Sequence, residues 1–256
     1  QFMNVIGIIP ARMGSRRFPG KPLEPILGVP MLKHCFERTI RAKLISEVYI
    51  ATCDEIIFEY ARKINAKCVM TSPKHTRATG RTAEAIKKVE DKENKSFDIV
   101  IMVQGDEPTI SPESIDETLK HFQDKNINVV NIMNEIPDYD SFISKDNVKV
   151  VVDKNNFAMY MSREPIPSPW IEFGENPKYM QNGIIAFRRK SLEEFLDQEE
   201  TPCEINESVD MNRILENGNK IKMIPINYPT IGVDSKEDLI LAEKILANDP
   251  LLKDYV

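Results

Sequence analysis

A short apolar run, Val5-Ile6-Gly7-Ile8-Ile9, leads directly into Pro10-Ala11-Arg12-Met13-Gly14-Ser15-Arg16-Arg17-Phe18-Pro19-Gly20-Lys21-Pro22. The run reads as a buried strand. The cations that follow are broken up by Gly14, Pro19, Gly20 and Pro22, so they cannot form a solvated helical face. A strand that feeds a cationic, glycine-containing loop suits a triphosphate. Glycine lets backbone N–H groups approach phosphate oxygens, arginine binds them through paired hydrogen bonds, and lysine adds a point charge. The plainer reading is a basic surface loop.

Charge helps to separate these readings. The chain has 256 residues, a net charge of -6, and 29% charged and 41% hydrophobic residues. Its sequence pI is about 5.3. An acidic chain of this kind is not a general nucleic-acid binder, so the cations of residues 12–21 form a local site. The length suits one large α/β domain or two small ones. The four cysteines, Cys35, Cys53, Cys68 and Cys203, form no CxxC pair and indicate neither a zinc site nor a disulfide framework. No apolar run approaches a membrane span and no signal-peptide pattern precedes the first strand, so a cytoplasmic enzyme is expected. Gln1 and Phe2, ahead of Met3, are read as an expression remnant and set aside.

Strand-like runs at Val5–Ile9, Glu47–Thr52, Cys68–Met70 and Ile99–Val103 alternate with helix-like stretches at about 30–43, 55–65 and 81–93. That alternation predicts a parallel sheet with helices on its faces. Ser111-Pro112-Glu113 predicts an N-cap and a first-turn proline opening a helix to about Gln123. In the second half, strands are expected at Val148–Val152, Gly183–Phe187 and Ile221–Ile226, and a helix over Cys203–Asn217. Ser235-Lys236-Glu237-Asp238 resembles a capping box that opens a last helix to about Ala247. Pro165–Pro177 carries four prolines and the only tryptophan, Trp170, and reads as a functional loop.

Three further segments carry chemistry. Val103-Gln104-Gly105-Asp106-Glu107-Pro108 follows the most apolar strand, and open α/β sheets bind ligands outside such strand ends. Asp106 suits Mg²⁺ on a triphosphate, or else caps its own turn; Gln104 can hydrogen-bond a substrate. In Ile231-Gly232-Val233-Asp234-Ser235, Asp234 is a second metal ligand or an exposed turn residue. Met70-Thr71-Ser72-Pro73, with His75 and Thr79-Gly80-Arg81, offers hydroxyls and an arginine to a base and a phosphate. The three histidines make no metal pattern, and no nucleophile with a paired base is evident.

Taken in order, the loop of residues 10–22, Met70-Thr71-Ser72, Gln104-Gly105-Asp106-Glu107-Pro108, Asn147-Val148-Lys149-Val150-Val151, Tyr160-Met161-Ser162-Arg163 with Pro165-Ile166-Pro167, and Gly232-Val233-Asp234 resemble the CMP-Kdo synthetases, the 3-deoxy-manno-octulosonate cytidylyltransferases. The resemblance spans about residues 5–245. It implies an α/β nucleotide-diphospho-sugar transferase (Rossmann-like) fold with a mixed, mostly parallel sheet and helices on both faces. It implies one domain over residues 3–256, with a nucleotide part to about residue 125 and an acceptor and dimerisation part from about 126. The implied reaction joins CMP from CTP to Kdo or a related sugar acid and releases pyrophosphate, with Mg²⁺, in a homodimer serving surface-polysaccharide synthesis.

By motif match, Ala11, Arg12, Ser15 and Lys21 bind the triphosphate, Thr71, Ser72, Arg81 and Gln104 surround the nucleotide, and Asp106 and Asp234 hold metal. Arg12, Lys21 and Asp106 are the catalytic set. Gln104, Arg163, Gln181, Arg188 and Asp210 are expected around the acceptor, with Arg163 and Arg188 meeting its anion. The departures from the family pattern fall on the base loop and the acceptor side. Gly80 stands for an acidic residue, Gln181 and Ile185 for a histidine and a tyrosine, and Asp210-Met211 for Glu-Gln. These leave open another anionic acceptor, such as a sugar phosphate or phosphonate, another nucleotide (GTP or UTP), or a nucleotide-binding protein without catalysis.

Overall fold

The computed structural model describes residues 3–256; Gln1 and Phe2, set aside above, lie outside the described residues. The chain divides into two compact units. The first takes residues up to Leu119 together with Pro229–Val256, and the second is Lys120–Tyr228.

In the first unit, β1 (Val5–Pro10) is followed by a short hairpin, β2 (Pro25–Ile26) and β3 (Val29–Pro30), and by α1 (Met31–Thr39). Then come β4 (Glu47–Thr52), α2 (Glu55–Lys63), β5 (Cys68–Met70), α3 (Ala78–Glu93), β6 (Ile99–Val103) and α4 (Pro112–Lys120). Strand β1 is central, parallel to β4 on one side and to β6 on the other, and β4 is parallel to β5. Ile8 faces Tyr49 across one ladder and Met102 across the other. Every residue of β1 and β6 is buried, which is why both read as unbroken apolar runs rather than as alternating patterns. The loops after β1, β4, β5 and β6 therefore leave the same sheet edge.

The expected caps hold. Ser111 Oγ accepts from the Ser114 amide at 3.1 Å, and Pro112 is the first helical residue of α4. A short 3₁₀ turn at His121–Gln123 carries that helix to the expected end.

The second unit contains β7 (Val129–Glu135), α5 (Tyr139–Ile143), β8 (Lys149–Val152), β9 (Ala158–Ser162), β10 (Tyr179–Arg188), α6 (Arg189–Asp197), α7 (Pro202–Glu207), α8 (Asn212–Glu216) and β11 (Lys222–Ile226). β7 lies between β10, antiparallel, and β11, parallel. β8 pairs antiparallel with β10 and with β9. The β7–β10 register shifts between Gln181 and Ile185, a bulge around Gly183.

The single helix expected over Cys203–Asn217 is two, because Ser208 turns left-handed at φ 53°. Arg163 takes up carbonyls left open at this end: its Nε donates to Glu207 O at 2.7 Å and its Nη2 to Ser208 O at 3.2 Å. These are the carbonyls a continuing helix would need.

The C-terminal segment belongs to the first unit and carries α9 (Lys236–Ala247), opened by the Ser235–Asp238 capping box. Among the described residues no helix is long and apolar enough to cross a membrane.

Candidate active site

Residues 11–21 are fixed at both ends and open in the middle. The Ala11 amide donates to Ala51 O at 2.9 Å, the Met13 amide to Asp54 Oδ2 at 2.7 Å, and the Gly20 amide to Met13 O at 2.9 Å. Gly20 sits at φ +76°, a conformation that other residues resist. Phe18 is buried beneath the loop, and its amide donates to Ser15 Oγ at 3.3 Å. Between these anchors the amides of Arg12, Gly14, Ser15 and Arg16 donate to no described group, and Arg12 and Arg16 are exposed without an ion pair among the described residues. Open amides beside unpaired guanidinium groups make a cradle for anionic oxygens. Ala11 contributes by anchoring, since its own amide is already used.

At the end of the loop Lys21 turns inward. Its Nζ lies 3.0 Å from Asp106 Oδ2, 3.2 Å from Asp234 Oδ1 and 2.9 Å from Val233 O. The fold thus brings together the three residues that the sequence keeps far apart. The loops carrying them are zipped to one another: the Val233 amide donates to Asp106 O at 2.8 Å, and the Gly105 amide to Pro10 O at 3.1 Å. Gly105 sits in a tight space, because a Cβ there would meet Pro10 O and Ala11 Cβ at 3.1 Å each. Burial alone would lower the Lys21 pKa, but the two carboxylates outweigh it and raise it. Burial likewise pushes the Asp106 carboxyl up, Lys21 opposes that, and Asp234 adds to it. Arg17 reaches Asp234 Oδ2 at 3.4 Å from an exposed position.

A second cluster lies after β5. Arg81, on the first turn of α3, is buried and donates to Thr71 Oγ1 at 2.5 Å, with longer bonds to Ser72 O and His75 O. Glu84, one turn on, receives the Ser72 amide at 3.1 Å and pairs with His75 Nε2 and Lys88 Nζ. Burial would raise the Glu84 pKa, but the bonds from Lys88, His75 and the Ser72 amide hold it at about 2. Thr71, Ser72 and Arg81 are therefore together, with Arg81 as a brace for the loop. Gly80 leaves room for the imidazole: a Cβ there would lie 3.0 Å from His75 Nδ1. Gln104 is half-buried, and its side chain makes no hydrogen bond among the described residues.

In the second unit, Arg163 and Arg188 do not stand free for an anion. Besides its bonds to Glu207 and Ser208, Arg163 donates from Nη1 to Lys145 O at 3.0 Å. Arg188 donates to the carbonyls of Ile127, Phe122 and Asp124 at 2.8–2.9 Å. Both fasten backbone. Gln181 is half-buried at the β10 bulge, and Asp210 is half-buried just ahead of α8. Met211 is fully buried, so the loss of a polar side chain there is a packing fact.

Sequence reasoning missed Asp54 and Glu84 as supports of the site. Asp54 follows a strand at the sheet edge that carries the site, and that position was its only signal.

Two hard carboxylates on one ammonium, with no third His, Cys, Asp or Glu grouped with them among the described residues, are a donor set for a cation that takes its other ligands from phosphates and water.

The cytidylyltransferase family profile matches residues 6–221. The 3-deoxy-manno-octulosonate cytidylyltransferase of Thermodesulfovibrio yellowstonii is 39% identical over 95% of this chain and 98% of its own. The protein of that name from Geobacter metallireducens is 38% identical over 93% and 95%. A solved CMP:2-keto-3-deoxy-manno-octonic acid synthetase in complex with CTP superposes with TM-score 0.86 at 31% identity, covering 95% of this chain and 98% of its own. A 4-diphosphocytidyl-2C-methyl-D-erythritol synthase from Anaerococcus prevotii, at 18% identity and TM-score 0.64, shares the fold.

Proposed function

The chain belongs to the 3-deoxy-manno-octulosonate cytidylyltransferase family, a family of CTP-dependent nucleotidyltransferases, and on that premise we propose that it joins CMP to Kdo or a closely related 3-deoxy sugar acid. The observation that carries this reading is the convergence of Asp106, Asp234 and Lys21 beside the open amides of residues 12–16. A hydroxyl of the sugar acid attacks the α-phosphorus of CTP and gives its proton to solvent, the bond from the α-phosphorus to the oxygen bridging it to the β-phosphate breaks, and pyrophosphate leaves with that oxygen. Such a transfer depends on positioning and on neutralising charge, and it needs no protein nucleophile.

Arg12, the amides around Gly14 and Ser15, and Lys21 bind the triphosphate and offset charge on the departing pyrophosphate. Asp106 and Asp234 would hold Mg²⁺, which when bound would draw charge from the phosphate oxygens. Thr71 and Ser72, braced by Arg81 and Glu84, line the base. Gln104 of the first unit, and Gln181 and Asp210 of the second, are the residues assigned to the acceptor, while Arg163 and Arg188 fasten backbone within the second unit.

A homodimer in the cytoplasm is the assembly we propose. Supporting it, β9 carries Met159 at 64% exposure, apolar surface that a second copy would cover. Size-exclusion chromatography with light scattering reads that state directly.

Pyrophosphate release from CTP, Mg²⁺ and Kdo tests the activity. Turnover with CTP and not with GTP or UTP is expected. No release with Kdo or any related sugar acid, or release only with a sugar phosphate or phosphonate, would overturn it.

A further inference from the structure

The ammonium of Lys21 has more partners to serve than protons to give. A lysine ammonium carries three N–H groups and accepts nothing. Lys21 Nζ meets three acceptors, Asp106 Oδ2 at 3.0 Å, Asp234 Oδ1 at 3.2 Å and Val233 O at 2.9 Å, so each proton has a partner inside the chain. Binding a phosphate oxygen, which the proposed reaction asks of the same group, requires Lys21 to give up one of these bonds. Charge makes a matching demand. The two carboxylates meet two cations, Lys21 and, at 3.4 Å from Asp234 Oδ2, Arg17. Their formal charges cancel, so the carboxylates as held by Lys21 present no net charge to draw a dication.

The backbone leaves the side chain as the part that can move. The Lys21 amide donates to Phe18 O at 3.3 Å and the Gly20 amide to Met13 O at 2.9 Å, which fixes the end of the cradle loop. Beyond it runs a flexible four-carbon stem. We propose that Lys21 is an exchangeable counter-ion, which neutralises Asp106 and Asp234 until a triphosphate arrives with its divalent cation and then passes from the carboxylates to the phosphate oxygens. This rests on the reading that the two aspartates hold Mg²⁺. A dication alone competes with Lys21 for the carboxylates, and a metal-free triphosphate competes with the carboxylates for Lys21. Together they satisfy both sides, so each strengthens the binding of the other by the same factor.

The test is calorimetric titration with CTP in the absence of any acceptor, once in EDTA and once in excess Mg²⁺. In EDTA, Asp106→Asn is expected to bind CTP roughly tenfold more tightly than the wild type, the scale of one charge-assisted hydrogen bond, because it loosens the hold on Lys21. In Mg²⁺ the order reverses and the variant binds CTP more weakly. Placed in a Lys21→Met background, Asp106→Asn should give no gain in EDTA, whereas plain repulsion between Asp106 and the phosphates would give the gain with or without the lysine. Melting curves check that each variant folds, and Asp234→Asn replaces Asp106→Asn if the latter does not. If the variant weakens CTP binding in Mg²⁺ but gains nothing in EDTA, or gains as much without Lys21 as with it, the inference is wrong and the metal site stands. If the variant binds CTP in Mg²⁺ as tightly as the wild type, the aspartates do not hold the metal and the inference falls with that reading.

Discussion

Asp106 and Asp234 share a single counter-ion: one lysine ammonium lies 3.0 Å from the first carboxylate and 3.2 Å from the second. Two carboxylates so close resist joint ionisation unless a cation stands between them. Asp106→Asn is expected to leave the fold intact, because Lys21 keeps Asp234 and Val233 O as partners. Metal-borne charge stabilisation is worth several kcal/mol, so pyrophosphate release should fall by ~100-fold or more. Single-turnover assays at saturating CTP check this, and a rate near that of wild type would remove Asp106 from the metal site.

Removing the ammonium should have a different signature. Lys21→Met leaves the two carboxylates facing one another without their cation, so added Mg²⁺ should raise the melting temperature of this variant more than that of the wild type. Differential scanning calorimetry with and without Mg²⁺, with Ca²⁺ as a second divalent probe, makes the comparison. Equal shifts in the two proteins would show that the carboxylates do not bind the metal.

Gly105→Ala places a methyl carbon 3.1 Å from Pro10 O and from Ala11 Cβ. Backbone cannot yield as a flexible side chain can, so the variant should lose about 1–3 kcal/mol, as overpacked sites do. Urea denaturation measures the loss. Gly14 is the control: a Cβ added there would meet nothing within 4 Å, and Gly14→Ala should cost less.

Acid should loosen the base loop through Glu84. Its carboxyl is depressed from about 4.5 to about 2 in the folded chain. A depressed carboxyl contributes stability that is complete above the unfolded value and is lost as pH falls through the folded one. The contribution from Glu84 should therefore decline between about pH 4.5 and pH 2. Glu84→Gln should flatten the acid limb of the stability curve in that window and speed exchange of the Ser72 amide at neutral pH. An unchanged acid limb would mean that the contacts of Glu84 with Ser72, His75 and Lys88 do not persist in solution.

The second unit has its own buried ion pair. Arg213 meets Glu204 through Nε at 2.8 Å and Nη2 at 2.6 Å, with its guanidinium 4.2 Å above the Phe195 ring. Glu204→Ala strands that guanidinium and should destabilise by about 3–5 kcal/mol. The dissociation constant for CTP, measured by calorimetry at a temperature where the variant is folded, should be unaffected.

The legible parts of this chain are those where one residue type does one job. Ile99–Val103 is apolar on both faces because helices and strands enclose it, so its limits could be read to the residue. Ser235 and Asp238 cap a helix from side chains within one turn, and the sequence carries that too. β7 was not foreseen, because Asn131 and Asn134 interrupt its apolar pattern, and their partners lie on β10, about fifty positions on. The break at Ser208 was invisible for the same reason, since the carbonyls there are taken up by Arg163, some forty-five positions earlier and just past β9. In the site, the cationic loop and both aspartates were evident from their types. Their joint hold on Lys21, and the commitment of Arg163 and Arg188 to backbone carbonyls, were not, because a side chain's free valence depends on neighbours that only the fold supplies.

The return of Pro229–Val256 to the first unit fixes an order of events at the ribosome. The cradle of residues 12–21 and Asp106 emerge early, while Asp234 comes only after the whole of the second unit has been made. A chain that has not yet reached Asp234 therefore carries half of its proposed metal ligands. The proposed site is complete only once this late segment has folded back against the loops made first.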